Sequence, residues 1–175
     1  RILSAVNLVE CTIDKRISIV KELYAAASVV AGDPALLESA ILNLILNARD
    51  SITNSGVITV SSKEIILDRD FIQKNGANVT PGRFVEISVS DTGSGMSREV
   101  QDHLYEPFYT TKGVGQGTGL GLAAVYGAVK EHNGAITVVS EINQGTCFRL
   151  YLPIFEISMV EGVQEAPQIM KGTGG

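Results

Sequence analysis

The sequence is poor in the residues that build metal centres, disulfide frameworks and nucleic-acid surfaces. Cys11 and Cys147 stand far apart and form no CxxC pair, so neither a disulfide framework nor a thiolate metal site is expected. Two histidines are too few for a His-rich metal centre. The 14 Lys and Arg residues are outnumbered by 19 Asp and Glu, giving a net charge of −5, and no basic stripe stands out. Free nucleic acid is therefore not an expected partner, although an anionic ligand remains compatible where local donors bind it. No apolar run approaches the roughly 20 residues of a membrane span, and no signal peptide opens the chain. Direct membrane insertion is not expected. The first residue is Arg1 rather than Met, which reads as a piece of a longer protein. The expected compartment is the cytoplasm, with the full-length protein still open to membrane tethering.

What the chain has is apolar bulk, at 45% of residues, enough for a core in one domain with a tail. Ile2, Val6, Val9 and Ile13 follow helical spacing. Residues 16–23 alternate as a strand. Asp33-Pro34 reads as an N-cap with proline at the first helical position, and the helix is expected to run to about Asn54-Ser55-Gly56. Strands are expected at 57–66 and 83–91, separated by a polar stretch that turns the chain. The Gly-rich segment from Gly93 to Thr118 shows little periodicity, as functional lids do. A helix over 120–132 stops at Asn133-Gly134, and 135–141 with 146–153 reads as a hairpin. The pattern fades after Pro153, where the composition is that of a linker.

Three constellations carry chemistry. On the helix from Asp33, residues Leu36 to Ala48 are apolar nearly all round, while Asn43, Asn47, Asp50 and Asn54 share one face. That stripe either meets solvent or faces a cleft. In a cleft, an Asn oxygen is a hard, neutral ligand suited to Mg²⁺, which shares a substrate's phosphates. The second is Asp91-Thr-Gly-Ser-Gly-Met96. Asp91 falls in phase with Val85, Ile87 and Val89 and so points inward. There it either closes an Asx-turn or accepts from a ligand's exocyclic amine. The third is KGVGQGTGLGLA, Lys112 to Ala123, with glycine at every second position from Gly113 to Gly121. Its last glycines run into a helix, whose exposed N–H groups suit phosphate. No apolar strand precedes it, which removes the dinucleotide-binding reading, and no Gly-Lys-Ser/Thr makes a Walker A loop.

Residues 1–154 resemble the catalytic, ATP-binding domain of bacterial sensor histidine kinases, of the GHKL superfamily shared with DNA gyrase and MutL. Residues 38–51 resemble the N box, Asp91–Met96 the G1 box, 106–111 the F box, 117–123 the G2 box and 145–153 the closing strand. The resemblance implies a two-layer α/β (α+β) sandwich of the Bergerat type: a mixed sheet with helices on one face, a mobile lid from about Ser97 to Gly117, and a tail over 155–175. It implies Mg-ATP as the ligand. Asn47 would coordinate Mg²⁺, Asn43 would help bind phosphates and metal, and Lys112 would reach the phosphates, these three forming the catalytic set. Asp91 would accept from the adenine amino group, with Gly93 and Gly95 letting the base in and Met96 beside them. Phe108 would anchor the lid. Gly117, Thr118, Gly119, Leu120, Gly121 and Leu122 would form the phosphate-binding segment, its glycines giving backbone donors. Thr146 would complete the adenine water network.

The family's ATP-hydrolysing members carry a glutamate one turn before the metal-binding asparagine. Here that position is Asn43, which cannot act as a base, so the site suits transfer over hydrolysis. Asp50 stands where other histidine kinases often carry a lysine. Neither His103 nor His132 fits the family's acceptor pattern. The implied activity is transfer of the γ-phosphoryl group to a histidine on an upstream acceptor domain of a homodimeric protein, with a response regulator receiver downstream. The alternatives are an ATPase of the same superfamily, an anti-sigma-type serine kinase, and a nucleotide-binding scaffold without catalysis.

Overall fold

Asp33 starts the longest helix in the way its sequence predicts. Its Oδ1 accepts from the backbone N–H of Ala35 and Leu36 at 2.9 and 3.3 Å, ahead of Pro34. The computed structural model describes residues 2–24, 30–110 and 120–155. In chain order these form α1 (Ile2–Glu10), β1 (Ile17–Leu23), α2 (Pro34–Ser51), β2 (Gly56–Leu67), α3 (Arg69–Lys74), β3 (Gly82–Asp91), α4 (Arg98–Asp102), α5 (Gly121–Glu131), β4 (Ala135–Glu141) and β5 (Gly145–Pro153). The strands lie in the order β1-β2-β3-β5-β4, with β1 parallel to β2 and the other neighbours antiparallel. This is the mixed sheet expected from the sequence, and α1, α2 and α5 pack on one face of it.

The register fixes that face. Val89 lies opposite Val60 and Phe148, Ile87 opposite Ser62 and Leu150, and Asp91 opposite Ile58 and Thr146. Paired residues on neighbouring strands point the same way, so Asp91 ends a row of core residues as its phase predicts. Ile41, Leu44 and Ile45 of α2 and Val125 and Val129 of α5 are buried against them.

Three details differ from the expectation. First, α2 ends at Ser51, so Asn54 is off the helix. Ile52 leaves it in extended geometry (φ −94°, ψ 115°) and buries its side chain in the core before β2 begins. Second, α3 forms where only turns were expected. Asp68 caps it, accepting from the Phe71 N–H at 2.8 Å. Phe71 and Ile72 then pack with Leu67, Phe84 and Tyr151 in a second, smaller core. Phe84 and Tyr151 belong to the opposite row of the pleat from Val85 and Leu152, so this core covers one end of the other sheet face. Third, α4 interrupts the stretch expected to lack periodicity, with Ser97 accepting from Val100 N–H at 3.3 Å.

His132 also takes a more specific part than the sequence predicts. It is buried at the C-terminus of α5, where Nδ1 meets the Ala128 carbonyl oxygen at 2.7 Å and Nε2 accepts the Asp33 N–H at 2.9 Å. With Nε2 accepting, Nδ1 donates. The ring is thus a neutral strut between the end of α5 and the start of α2. Gly32 leaves room for it: a Cβ there would lie 1.9 Å from His132 Cδ2. Replacing the strut (His132→Leu) leaves the Asp33 N–H without its acceptor. Urea unfolding is expected to show a loss of about 1–3 kcal/mol.

Candidate functional site

The inward end of β3, the polar side of α2 and the start of α5 surround one cavity of about 490 Å³. From α2 come Asn43 and Asn47, from β3 Asp91, from the loop after it Gly95 and Met96, from α5 Gly121 and Leu122, and from β5 Thr146. Eight of the residues singled out from sequence therefore face a common space. Lys112, Gly117, Thr118 and Gly119 lie outside the described residues.

Asp91 is 8% exposed. Its Oδ1 accepts from the Gly93 N–H at 2.8 Å and from the Ser51 hydroxyl at 3.1 Å. Burial pushes its carboxyl above the ordinary aspartate value, while hydrogen bonds from Gly93, Ser51 and Thr146 pull the other way. The result is a carboxylate held in place by donors and presented to the cavity as an acceptor. Around it a hydroxyl network links the walls. Ser140 Oγ lies 2.8 Å from Thr146 Oγ1 and accepts the Met96 N–H at 2.8 Å. The Gln101 amide of α4 donates to the Met96 and Ser140 carbonyl oxygens at 3.0 and 3.2 Å.

At the other end, α5 starts without a side-chain cap, since Leu120 makes no capping hydrogen bond through its side chain. A Cβ on Gly121 would stand 3.9 Å from the Asn43 amide oxygen. The bare turn of α5 and the asparagine stripe of α2 thus face one another, which places backbone donors beside neutral oxygen ligands. Among the described residues there is no cluster of His, Cys, Asp or Glu able to hold a metal by itself. The Asn43 and Asn47 oxygens suit a hard cation that completes its shell with waters and substrate phosphates, which is the behaviour of Mg²⁺. Arg49 and Asp50 also line the cavity, and the Arg49 guanidinium donates to Asp50 Oδ1 at 2.9 and 3.1 Å.

Four other residues assigned from sequence, Phe108, Leu120, Gly93 and Gly95, stand outside the lining or make close contacts within the protein. Phe108 is 75% exposed and does not line the cavity. The segment before it is held by Leu104, buried in the core, and by Tyr105, whose ring stacks on Tyr126 at 5.0 Å. Leu120 is likewise outside the lining, with its side chain partly exposed. The glycines of the β3 loop are enclosed by the protein itself. A Cβ on Gly93 would meet Ser51 Oγ at 2.1 Å and Ser51 O at 2.6 Å, and Gly93 is not part of the lining. A Cβ on Gly95 would meet Glu141 O at 1.9 Å. Both glycines are required by the protein's own backbone, independently of any ligand. Ser51, Ser140, Gln101 and Tyr109 were not found from sequence. A serine in the last turn of α2 and one phase-matched to Thr146 across the hairpin were the only available signals.

The family model described as histidine kinase-, DNA gyrase B- and HSP90-like ATPase matches residues 32–156. The sensor kinase CckA of Brucella abortus (strain 2308) is 39% identical over 124 residues, which are 71% of this chain and 13% of that protein. The sensor histidine kinase ZraS of Escherichia coli (strain K12) is 38% identical over 125 residues, 71% of this chain and 23% of that protein. The chain thus spans less than a quarter of the length of these relatives. Among solved structures, the catalytic domain of histidine kinase ThkA superposes with a TM-score of 0.69 at 26% identity, covering 87% of this chain and 89% of that one.

The contact around Gly93 yields a test in the absence of ligand. Gly93→Ala is expected to lower unfolding stability by about 1–3 kcal/mol through overpacking against Ser51. A glycine needed only for ligand approach would leave the stability of the free protein unchanged.

Proposed function

The chain belongs to the histidine kinase-, DNA gyrase B- and HSP90-like ATPase family, and on that premise we propose that it binds Mg-ATP and passes the γ-phosphoryl group to a histidine on a separate acceptor domain. The observation that carries this reading is the convergence of an inward carboxylate, an asparagine stripe and an uncapped helix start on one cavity. Asp91 accepts from the adenine amino group, and Thr146, hydrogen-bonded to Ser140, supplies a hydroxyl beside it. Gly95 and Met96 border the base. The first N–H groups of α5 take the phosphates, with Gly117, Thr118 and Gly119 ahead of them and Lys112 reaching the same oxygens. Asn47 would hold Mg²⁺ through its side-chain oxygen, and Asn43 would help bind the metal and the phosphates. When bound, Mg²⁺ neutralises charge on the β- and γ-phosphate oxygens.

Transfer then needs little from this chain beyond position. The acceptor imidazole nitrogen forms the new bond to the γ-phosphorus as the bond to the bridging oxygen breaks, and ADP leaves with that electron pair. Hydrolysis would need a base to activate water. The carboxylates that line the cavity are Asp91, hydrogen-bonded by Ser51 and Gly93, and Asp50, ion-paired to Arg49. With Asn43 one turn before Asn47, the position that carries the glutamate in the superfamily's ATPases holds no carboxylate, which favours the kinase.

We assign residues 1–154 to this catalytic domain and 155–175 to a tail. The acceptor domain lies upstream in the same protein, which works as a homodimer in the cytoplasm and hands its phosphoryl group to a response regulator receiver. Among the described residues no helix is long and apolar enough to cross a membrane.

Asp91→Asn is expected to weaken ATP binding about ten- to a hundredfold, since a hydrogen bond to a charged group is worth about 1.5–3 kcal/mol. Calorimetric titration reads this directly, and an unchanged affinity would make the carboxylate merely structural. The ionised carboxyl is the stronger acceptor for an amine, and the protonated one presents an O–H donor in its place, so affinity should fall with decreasing pH. Because burial raises this carboxyl's pKa, the fall should begin at a higher pH than an ordinary aspartate gives. Asn47→Ala should abolish the enhancement of binding by Mg²⁺; retained metal dependence would refute the ligand assignment. With γ-labelled ATP, label should appear on an added acceptor domain as an acid-labile, base-stable adduct. Release of phosphate without acceptor would instead favour an ATPase.

A further inference from the structure

Ser51 is the last residue of α2, one turn beyond Asn47. Its hydroxyl reaches two acceptors, the Ala48 carbonyl oxygen at 2.8 Å and Asp91 Oδ1 at 3.1 Å. Its own carbonyl oxygen accepts the Ser94 N–H at 3.0 Å. Gly93, whose N–H also serves Asp91 Oδ1, has no space for a side chain because Ser51 fills it. One residue therefore bonds the carboxylate and the loop that follows it, and it does so from the helix that carries Asn43 and Asn47. Apolar core packing alone would not impose this arrangement, since it leaves the rotation of the Asp91 carboxyl undetermined.

We propose that Ser51 is a positioning residue, whose hydroxyl holds the Asp91 carboxylate in its ionised, base-accepting orientation and ties that orientation to the metal-binding helix. This role presupposes the nucleotide site proposed above and assigns the control of its base end to the last residue of the N-box stretch, a side chain given no role by the resemblance. The two donors on Oδ1, Ser51 and Gly93, fix the carboxyl plane and leave Oδ2 to be aimed by it. The Thr146 backbone is the third donor that favours the charged form. The other titratable or charged groups near Asp91 act less directly. Arg49 and Asp50 on α2 are paired with each other. Cys147 follows Thr146 on β5 and points to the opposite side of the pleat. Ile58, the neighbour on β2, carries no charge. Of the donors that hold the carboxylate charged, Ser51 is the one supplied by a side chain, so it is the one a substitution can remove without altering the backbone.

The test compares the 175-residue chain with Ser51→Ala, Ser51→Cys and Asp91→Asn. ADP affinity is measured in chelator across pH, so that metal does not enter, and thermal unfolding of each variant is recorded beside it. Ser51→Ala should move the acidic fall in affinity to higher pH by about one unit, the shift expected when one hydrogen bond to a charged group is lost. Ser51→Cys keeps the shape with a weak S–H donor and should follow Ser51→Ala. If both serine variants keep the acidic fall at the parent pH while Asp91→Asn has lost affinity, the positioning role is overturned and the nucleotide site stands. A cysteine variant that behaves like the parent beside a shifted alanine variant would also overturn it, because side-chain volume rather than the hydroxyl would then carry the effect. If Asp91→Asn binds ADP as the parent does, the nucleotide reading itself fails.

Discussion

The site depends on a carboxylate kept charged inside a core. Asp91 sits at the end of a row of apolar residues, opposite Ile58 and beside Thr146, where an unpartnered ion would be strongly disfavoured. Donors from the following turn, from the end of α2 and from β5 offset part of that penalty, while burial still raises the carboxyl's pKa. The remaining acceptor capacity faces the cavity. A ligand that brings an amine completes the set, and one that brings a carbonyl does not. Selectivity of this kind arises from leaving a buried group partly satisfied, so that a mismatched ligand leaves it unpaired.

The glycines around that carboxylate show how closely the surrounding backbone must approach. Gly93 admits Ser51, Gly95 admits the Glu141 carbonyl, and Gly145 admits the Asp91 carbonyl, where a Cβ would stand 2.0 Å away. Three chain segments, namely the end of α2, the loop after β3 and the β4–β5 turn, meet within hydrogen-bonding distance. The Asn143 N–H donates to the Ser94 carbonyl at 2.7 Å, and Ser94 N–H to Ser51 at 3.0 Å. The Asp91 end of the cavity is therefore preformed by contacts within the protein. The end proposed for the phosphates is built differently, from one helix start and two asparagines that carry no net charge. Such a site leaves most of the neutralisation of a polyphosphate to the accompanying cation, which fits the small number of basic side chains around the cavity.

The Asp33–His132 strut has a comparable role at the far side of the helical layer. It ties the N-terminus of α2 to the C-terminus of α5, and these two helices supply the asparagines and the uncapped turn that line the cavity. A polar bond remote from the cavity thus helps fix the distance between its two functional helices. The second small core around Phe84 and Tyr151 is separate from this arrangement. It stabilises the outer end of the sheet, where the long β2–β3 connection would otherwise leave apolar residues uncovered.

Much was determined by local sequence alone. Helical spacing and the Asp33-Pro34 start specified α2, alternation specified the strands, and the phase of Asp91 with Val85, Ile87 and Val89 specified its inward direction. These features depend on backbone geometry that repeats over a few residues, so neighbours in sequence carry the information. Tertiary structure decided what depends on distant partners. It ended α2 at Ser51 because Ile52 is drawn into the core, turned Phe108 outward while Leu104 and Tyr105 took the anchoring contacts, and made His132 a strut. It also gave Gly93 and Gly95 to the protein's own close contacts and brought Ser51, forty residues away in sequence, onto Asp91. No local periodicity encodes such contacts, because each is set by where two elements cross once the sheet and helices have packed.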